Sequence, residues 1–138
     1  MAKTKTSLPK QRRLTLAQQK FLIGQRFPQF RFSKTRETWV GQLSPTLKSP
    51  KYIIRIIYKE YGSPKVYVVK PEIVPNCPHI YRDGSLCLYY PGDNSWNQSK
   101  SIATTIIPWT AEWLFFYEGW LATGFWYGPE AKHTGAKI

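Results

Sequence analysis

Residues 38–69 read TWVGQLSPTLKSPKYIIRIIYKEYGSPKVYVV, and they set the architecture. Thr38 to Leu43 is a strand by composition. The polar loop Ser44 to Pro50 follows, and Tyr52 to Tyr61 is rich in β-branched and aromatic residues, which suit a pleated, half-buried surface. Gly62, Ser63 and Pro64 supply a turn before a further strand, Lys65 to Val69. Just upstream, Phe30 and Phe32 alternate with polar neighbours and add a first strand. Connections this short cannot carry a parallel crossover, so four strands in succession imply an antiparallel meander.

Before the meander, Leu16, Gln19, Lys20, Ile23 and Arg26 recur at helical spacing. Thr15 is placed to cap this helix and Pro28 stands just past its end, which predicts a helix over Leu16–Arg26. Residues 1–13 are polar, basic and interrupted by Pro9, the pattern of a flexible arm, so the folded unit is expected over residues 14–138. After the meander, Pro71, Pro75 and Pro78 end regular pairing, because proline offers no amide to a ladder. An ordered loop is expected from there to Pro91. Ser99 or Ser101 would cap a short helix near Ile102–Ile107. Thr110 would cap a second helix from Ala111 to Leu121, stopped by Gly124. Trp113, Leu114, Tyr117, Trp120 and Leu121 form an aromatic-rich stripe on it, suited to packing on the sheet. The fold class expected is α+β.

The 138 residues contain 42% hydrophobic and 16% aromatic side chains, enough to build a core. No apolar run approaches the roughly 20 residues that a membrane-spanning helix needs, and the basic N-terminus lacks the apolar core of a secretory signal. A cytoplasmic location is the expectation. Two cysteines do not make a disulfide framework. The net charge of +12 is uneven: Lys3, Lys5, Lys10, Arg12, Arg13, Lys20, Arg26, Arg31, Lys34 and Arg36 all precede the first acid, Glu37. That end should attract an acidic protein surface or a nucleic acid, although the first thirty or so residues lack the interleaved aromatics usual in nucleic-acid modules.

The chemically informative stretch is Cys77-Pro78-His79-Ile80-Tyr81-Arg82-Asp83-Gly84-Ser85-Leu86-Cys87-Leu88, with Trp96 further on. A thiolate is a strong nucleophile and, once acylated, a good leaving group, so cysteine suits a carrier that is loaded and unloaded by amines or thiols. A cysteine between two leucines is equally suited to an inert core. The surrounding pattern favours chemistry, because this stretch resembles the active-site region of ubiquitin-conjugating enzymes. In that family a His-Pro-Asn tripeptide leads through an aromatic or apolar residue and a glycine turn to a cysteine flanked by apolar residues. Pro78 matches the proline, Tyr81 the aromatic, Asp83-Gly84 the turn, Leu86-Cys87-Leu88 the nucleophile and its flanks, and Trp96 the downstream tryptophan. Cys77 stands in place of the family's histidine and His79 in place of its asparagine.

The resemblance implies a fold with an N-terminal helix, a four-stranded meander, an active-site loop and C-terminal helices. It also implies a thioester on Cys87. His79 would donate to the oxyanion. Asp83 or Asp93 would desolvate or deprotonate the incoming amine, and Tyr81, Arg82, Tyr89, Tyr90 and Trp96 would line a groove for an extended peptide. The tail from Ile107 to Gly128, rich in tryptophan, is similar to that of compact bacterial relatives from antiphage (CBASS) operons, which lie beside a cGAS/DncV-like nucleotidyltransferase. That likeness implies conjugation of the nucleotidyltransferase's C-terminus to an acceptor amine. No cofactor is called for. Cys77, His79, Cys87 and His133 lack the hairpin spacing of a structural zinc site. Two other readings remain: an inactive scaffold of the same fold, and a basic nucleic-acid-binding module.

Overall fold

The computed structural model describes residues 12–89 and 95–129. Helix α1 (Leu16–Arg26) occupies the expected span. The Thr15 hydroxyl accepts from the Gln18 amide at 3.1 Å while the Gln18 side chain accepts from the Thr15 amide at 2.8 Å, a reciprocal box that satisfies two amides left over at a helix start. Strands β1 (Arg31–Ser33), β2 (Thr38–Leu43), β3 (Tyr52–Ile57) and β4 (Lys65–Lys70) form one antiparallel sheet in the order β1-β2-β3-β4. The third strand stops four residues short of the expected Tyr61. Its ladder partner β2 begins at Thr38, opposite Ile57, and just beyond that pair the Tyr58 amide donates to the Glu37 carbonyl at 2.9 Å.

Period-two alternation sends Trp39, Leu43, Tyr52, Ile54, Ile56 and Val66 into the core. Gly41 shares that face, and the ring of Phe30 lies where its missing Cβ would be, so the glycine makes room for an aromatic ring against the strand.

The C-terminal half departs from expectation. One helix, α2 (Ile106–Thr123), replaces the two foreseen. Pro108 falls in its first turn, where amides have no intrahelical acceptor and a missing N–H costs nothing. Thr110 is therefore not a cap. Its hydroxyl is buried and donates to the Ile106 carbonyl one turn back, at 2.7 Å. Gly124 does end the helix, in the left-handed region at φ 84°. The inner face carries Ile106, Ile107, Trp113, Leu114 and Tyr117 into the core shared with the sheet, whereas Leu121, expected in the same stripe, is 50% exposed.

Helix α1 is joined to the chain leading into α2 by one side chain. Gln19, 1% exposed, donates from Nε2 to the Lys100 carbonyl at 3.0 Å and accepts at Oε1 from the Ile102 amide at 2.9 Å. Among the described residues no helix is long and apolar enough to cross a membrane.

Candidate active site

The stretch from His79 to Cys87 folds as a small hairpin. Gly84 donates its amide to the Tyr81 carbonyl at 2.9 Å, closing a turn whose fourth residue needs φ +91° and is glycine for that reason. Tyr81 donates to the Ser85 carbonyl at 2.8 Å, Ile80 bridges Leu86, and the Cys87 amide donates to the His79 carbonyl at 3.0 Å. The hairpin is tied to the sheet by the Leu86 amide on the Val66 carbonyl of β4, at 2.8 Å. Cys87 therefore sits at a fixed backbone position beside the last strand.

Asp83 anchors the turn. Its Oδ1 accepts from the Ser85 amide (2.9 Å) and hydroxyl (2.6 Å), and its Oδ2 pairs with Lys65 Nζ at 2.5 Å. These donors, Lys65 first, hold its carboxyl below the usual carboxylate range. A carboxylate so stabilised is a weaker proton acceptor than a free one, and in this hairpin its hydrogen bonds hold the turn. Lys65 and Ser85 were not singled out from the sequence. The pairing of Leu86 with Val66 brings Lys65 to Asp83, and only the tertiary register reveals that.

Cys87 is 5% exposed, a shielded position for a thiol that the resemblance makes an acyl carrier. Burial pushes its thiol above the ordinary cysteine value, and a hydrogen bond from the Tyr81 hydroxyl pulls in the opposite direction. Tyr81 is itself held protonated by burial and by that same bond. The residues on either side of the cysteine, Leu86, Leu88 and Tyr89, line a cleft of about 540 Å³ whose remaining wall comes from Ser63–Lys65 and the hairpin turn. Cys87 itself is not among the residues that line it.

His79 adopts φ +61°, and its carbonyl accepts from both Cys87 and the Trp113 indole Nε1, the latter at 3.0 Å. Its imidazole packs on Trp126, ring centres 4.8 Å apart, so the residues just after α2 fold back onto the hairpin. Tyr89 rests on Trp109, ring centres 5.6 Å apart. Arg82 is exposed at the cleft mouth. Trp96, expected in the groove, is instead a core residue at 8% exposure whose indole N–H donates to the Thr105 hydroxyl at 2.9 Å. An amphipathic side chain followed by turn residues gives no hint of which way it points; packing at the start of α2 decided it. Asp93, Tyr90 and His133 lie outside the described residues, as does most of the basic arm. Cys77, a free thiol like Cys87, is buried, and its Sγ donates to the Pro78 carbonyl at 3.2 Å.

An N-terminal helix, a four-stranded antiparallel sheet, a cysteine-bearing hairpin beside a cleft and a C-terminal helix define a class of α+β protein consistent with the ubiquitin-conjugating order of elements. Over residues 19–134 the chain matches the family described as Type II CBASS E2 protein, and it belongs to that family. Comparison with curated proteins gave no match.

Proposed function

We propose that this protein is a cytoplasmic conjugating enzyme that carries a protein C-terminus as a thioester on Cys87 and transfers it to an amine or thiol acceptor in antiphage defence. The carried protein in this reading is the cGAS/DncV-like nucleotidyltransferase of the same operon. The observation that carries the proposal is the placement of Cys87. It occupies the second arm of a rigid hairpin, beside a cleft large enough for an extended peptide, with a hydroxyl on its sulfur, in a chain of the CBASS E2 family.

Loading requires an activated acyl donor, an acyl adenylate or another thioester. The Cys87 thiolate attacks the carbonyl, the C–S bond forms and the donor's leaving group departs. In the second step the acceptor nitrogen attacks the thioester carbon, an amide forms, the thiolate leaves and the amine's proton passes to water or a base. In this reading the Tyr81 hydroxyl at the sulfur and the His79 side chain serve as donors to the transient oxyanion. Because the resting thiol is shielded, it must become more accessible before it reacts.

That shielding favours a second reading, an inactive scaffold of the same fold. Replacing Cys87 with Ser separates the two. A carrier so altered accumulates an ester with its cargo that survives thiols and is cleaved by alkali, whereas a scaffold accumulates nothing.

A further inference from the structure

Basic residues lie in and next to the segments that line the cleft. The segments 12–13, 59–65 and 81–83 carry Arg12, Arg13, Lys59, Lys65 and Arg82 against Glu60 and Asp83. Lys65 is spent on Asp83, and no ion pair among the described residues engages Arg82, which leaves its guanidinium exposed at the cleft mouth. Arg13 is fastened nearby. Its guanidinium donates to the Glu60 carbonyl and lies 5.1 Å from the centre of the Tyr61 ring, two positions before Ser63, where the cleft wall begins. The neighbouring Leu14 amide donates to the Gln98 carbonyl at 2.8 Å, and the Gln98 side chain donates to the Gly62 carbonyl. The chain entering α1, with its basic residues, is thus pinned to the turn that forms the cleft's rim. Behind the rim the wall is apolar, built from Pro64, Leu86, Leu88 and the rings of Tyr81 and Tyr89.

From this juxtaposition we infer that the cleft takes an extended peptide with acidic residues along its length and an apolar residue near its C-terminus, the carboxylates meeting Arg82 and the Arg12–Arg13 end. The inference deepens the thioester reading by naming the chemistry of the carried tail. A guanidinium presents a planar fork that pairs with carboxylate through two parallel hydrogen bonds, and an apolar wall next to it desolvates the flanking side chain. Duplex or single-stranded nucleic acid would be drawn by the same charge, but the cleft behind it mixes Pro64, Leu86 and Leu88 with two half-buried tyrosine rings and offers no run of exposed aromatic platforms among its lining residues.

The test uses the full-length Cys87→Ser protein and fluorescence anisotropy, so that binding is read without thioester chemistry. Three labelled peptides of about ten residues share an apolar C-terminal segment and differ upstream in carrying Glu, Gln or Lys. The acidic peptide is expected to bind roughly tenfold more tightly than the Gln peptide at low salt, the gap narrowing as salt rises. Arg82→Glu should lose that preference and gain one for the Lys peptide, a reversal that only a folded protein can show. Equal affinities for the acidic and Gln peptides, or an unchanged preference in Arg82→Glu, would overturn the inference. So would an oligodeoxythymidine that displaces the acidic peptide at lower concentration than unlabelled peptide does. Peptide selectivity without any adduct on Cys87 in cells would sink the thioester reading alone, and an adduct without peptide selectivity would sink this inference alone.

Discussion

The Tyr81 hydroxyl hydrogen-bonds the thiol of Cys87, across a hairpin that also fixes the two backbones through the Tyr81–Ser85 and Cys87–His79 bonds. The bond opposes burial, which disfavours the thiolate. Alkylation of Cys87 by iodoacetamide, followed by mass spectrometry across pH, should therefore show a midpoint above the ordinary value of about 8.5. Tyr81→Phe removes the donor and keeps the ring, so the midpoint should move higher still. A downward shift would contradict the assignment of Tyr81 as donor.

Asp83 has a depressed carboxyl in the folded protein, so its contribution to stability is complete above the unfolded carboxylate range, near 4, and is lost as pH falls through the lower folded value. Urea midpoints measured between about pH 2 and 5 should fall with acidification in the parent protein and fall less in Asp83→Asn. The Lys65 partner is half exposed, which keeps the effect small.

The two thiols give the opposite sign. Burial raises Cys77 to about 12, so its folded-state advantage is intact below the unfolded thiol value and disappears as pH rises from about 9 to 12. Cys87 and the buried tyrosines Tyr52 and Tyr117 shift the same way. Thermal unfolding should show stability declining above about pH 9, and Cys77→Ala should be less stable at neutral pH but flatter in that alkaline range.

Gln19→Ala strands the Lys100 carbonyl and the Ile102 amide inside the protein. A loss of about 2 kcal/mol or more in urea denaturation is expected, since each buried polar group left unpaired costs roughly 1–3 kcal/mol. Gln18→Ala, at an exposed position, should cost well under half of that.

Gly41→Ala forces the Phe30 ring out of its seat and should cost about 1–3 kcal/mol. Combining it with Phe30→Ala should cost less than the two changes separately, because the second removes the obstacle the first collides with.

Helix α1 was legible because its signals are local: Thr15 as a cap at one end, which the structure completes into a box with Gln18, and Pro28 just past the other. The meander was legible for a similar reason, alternation plus a Gly-Ser-Pro turn. The single C-terminal helix was not, since Pro108 reads as a break unless one knows that the helix starts only two residues earlier. Within the site, the turn and its glycine followed from Asp83-Gly84 and from the likeness to conjugating enzymes, whereas the hairpin pairing around that turn did not and had been expected as a loop. The burial of Cys87 and Trp96 and the capture of Asp83 by Lys65 depend on which strand the hairpin docks against and on how α2 begins. Neither is written in local spacing.

Whether Cys87 holds acyl cargo is decided by intact-mass analysis of the protein produced together with the genes that flank its own. A thioester carrier should show an adduct with the mass of a partner protein, less water, attached at Cys87, released by thiols or neutral hydroxylamine and missing from Cys87→Ala. A protein that supports conjugation in those cells equally well with Cys87→Ala, and never carries such an adduct, would contradict it.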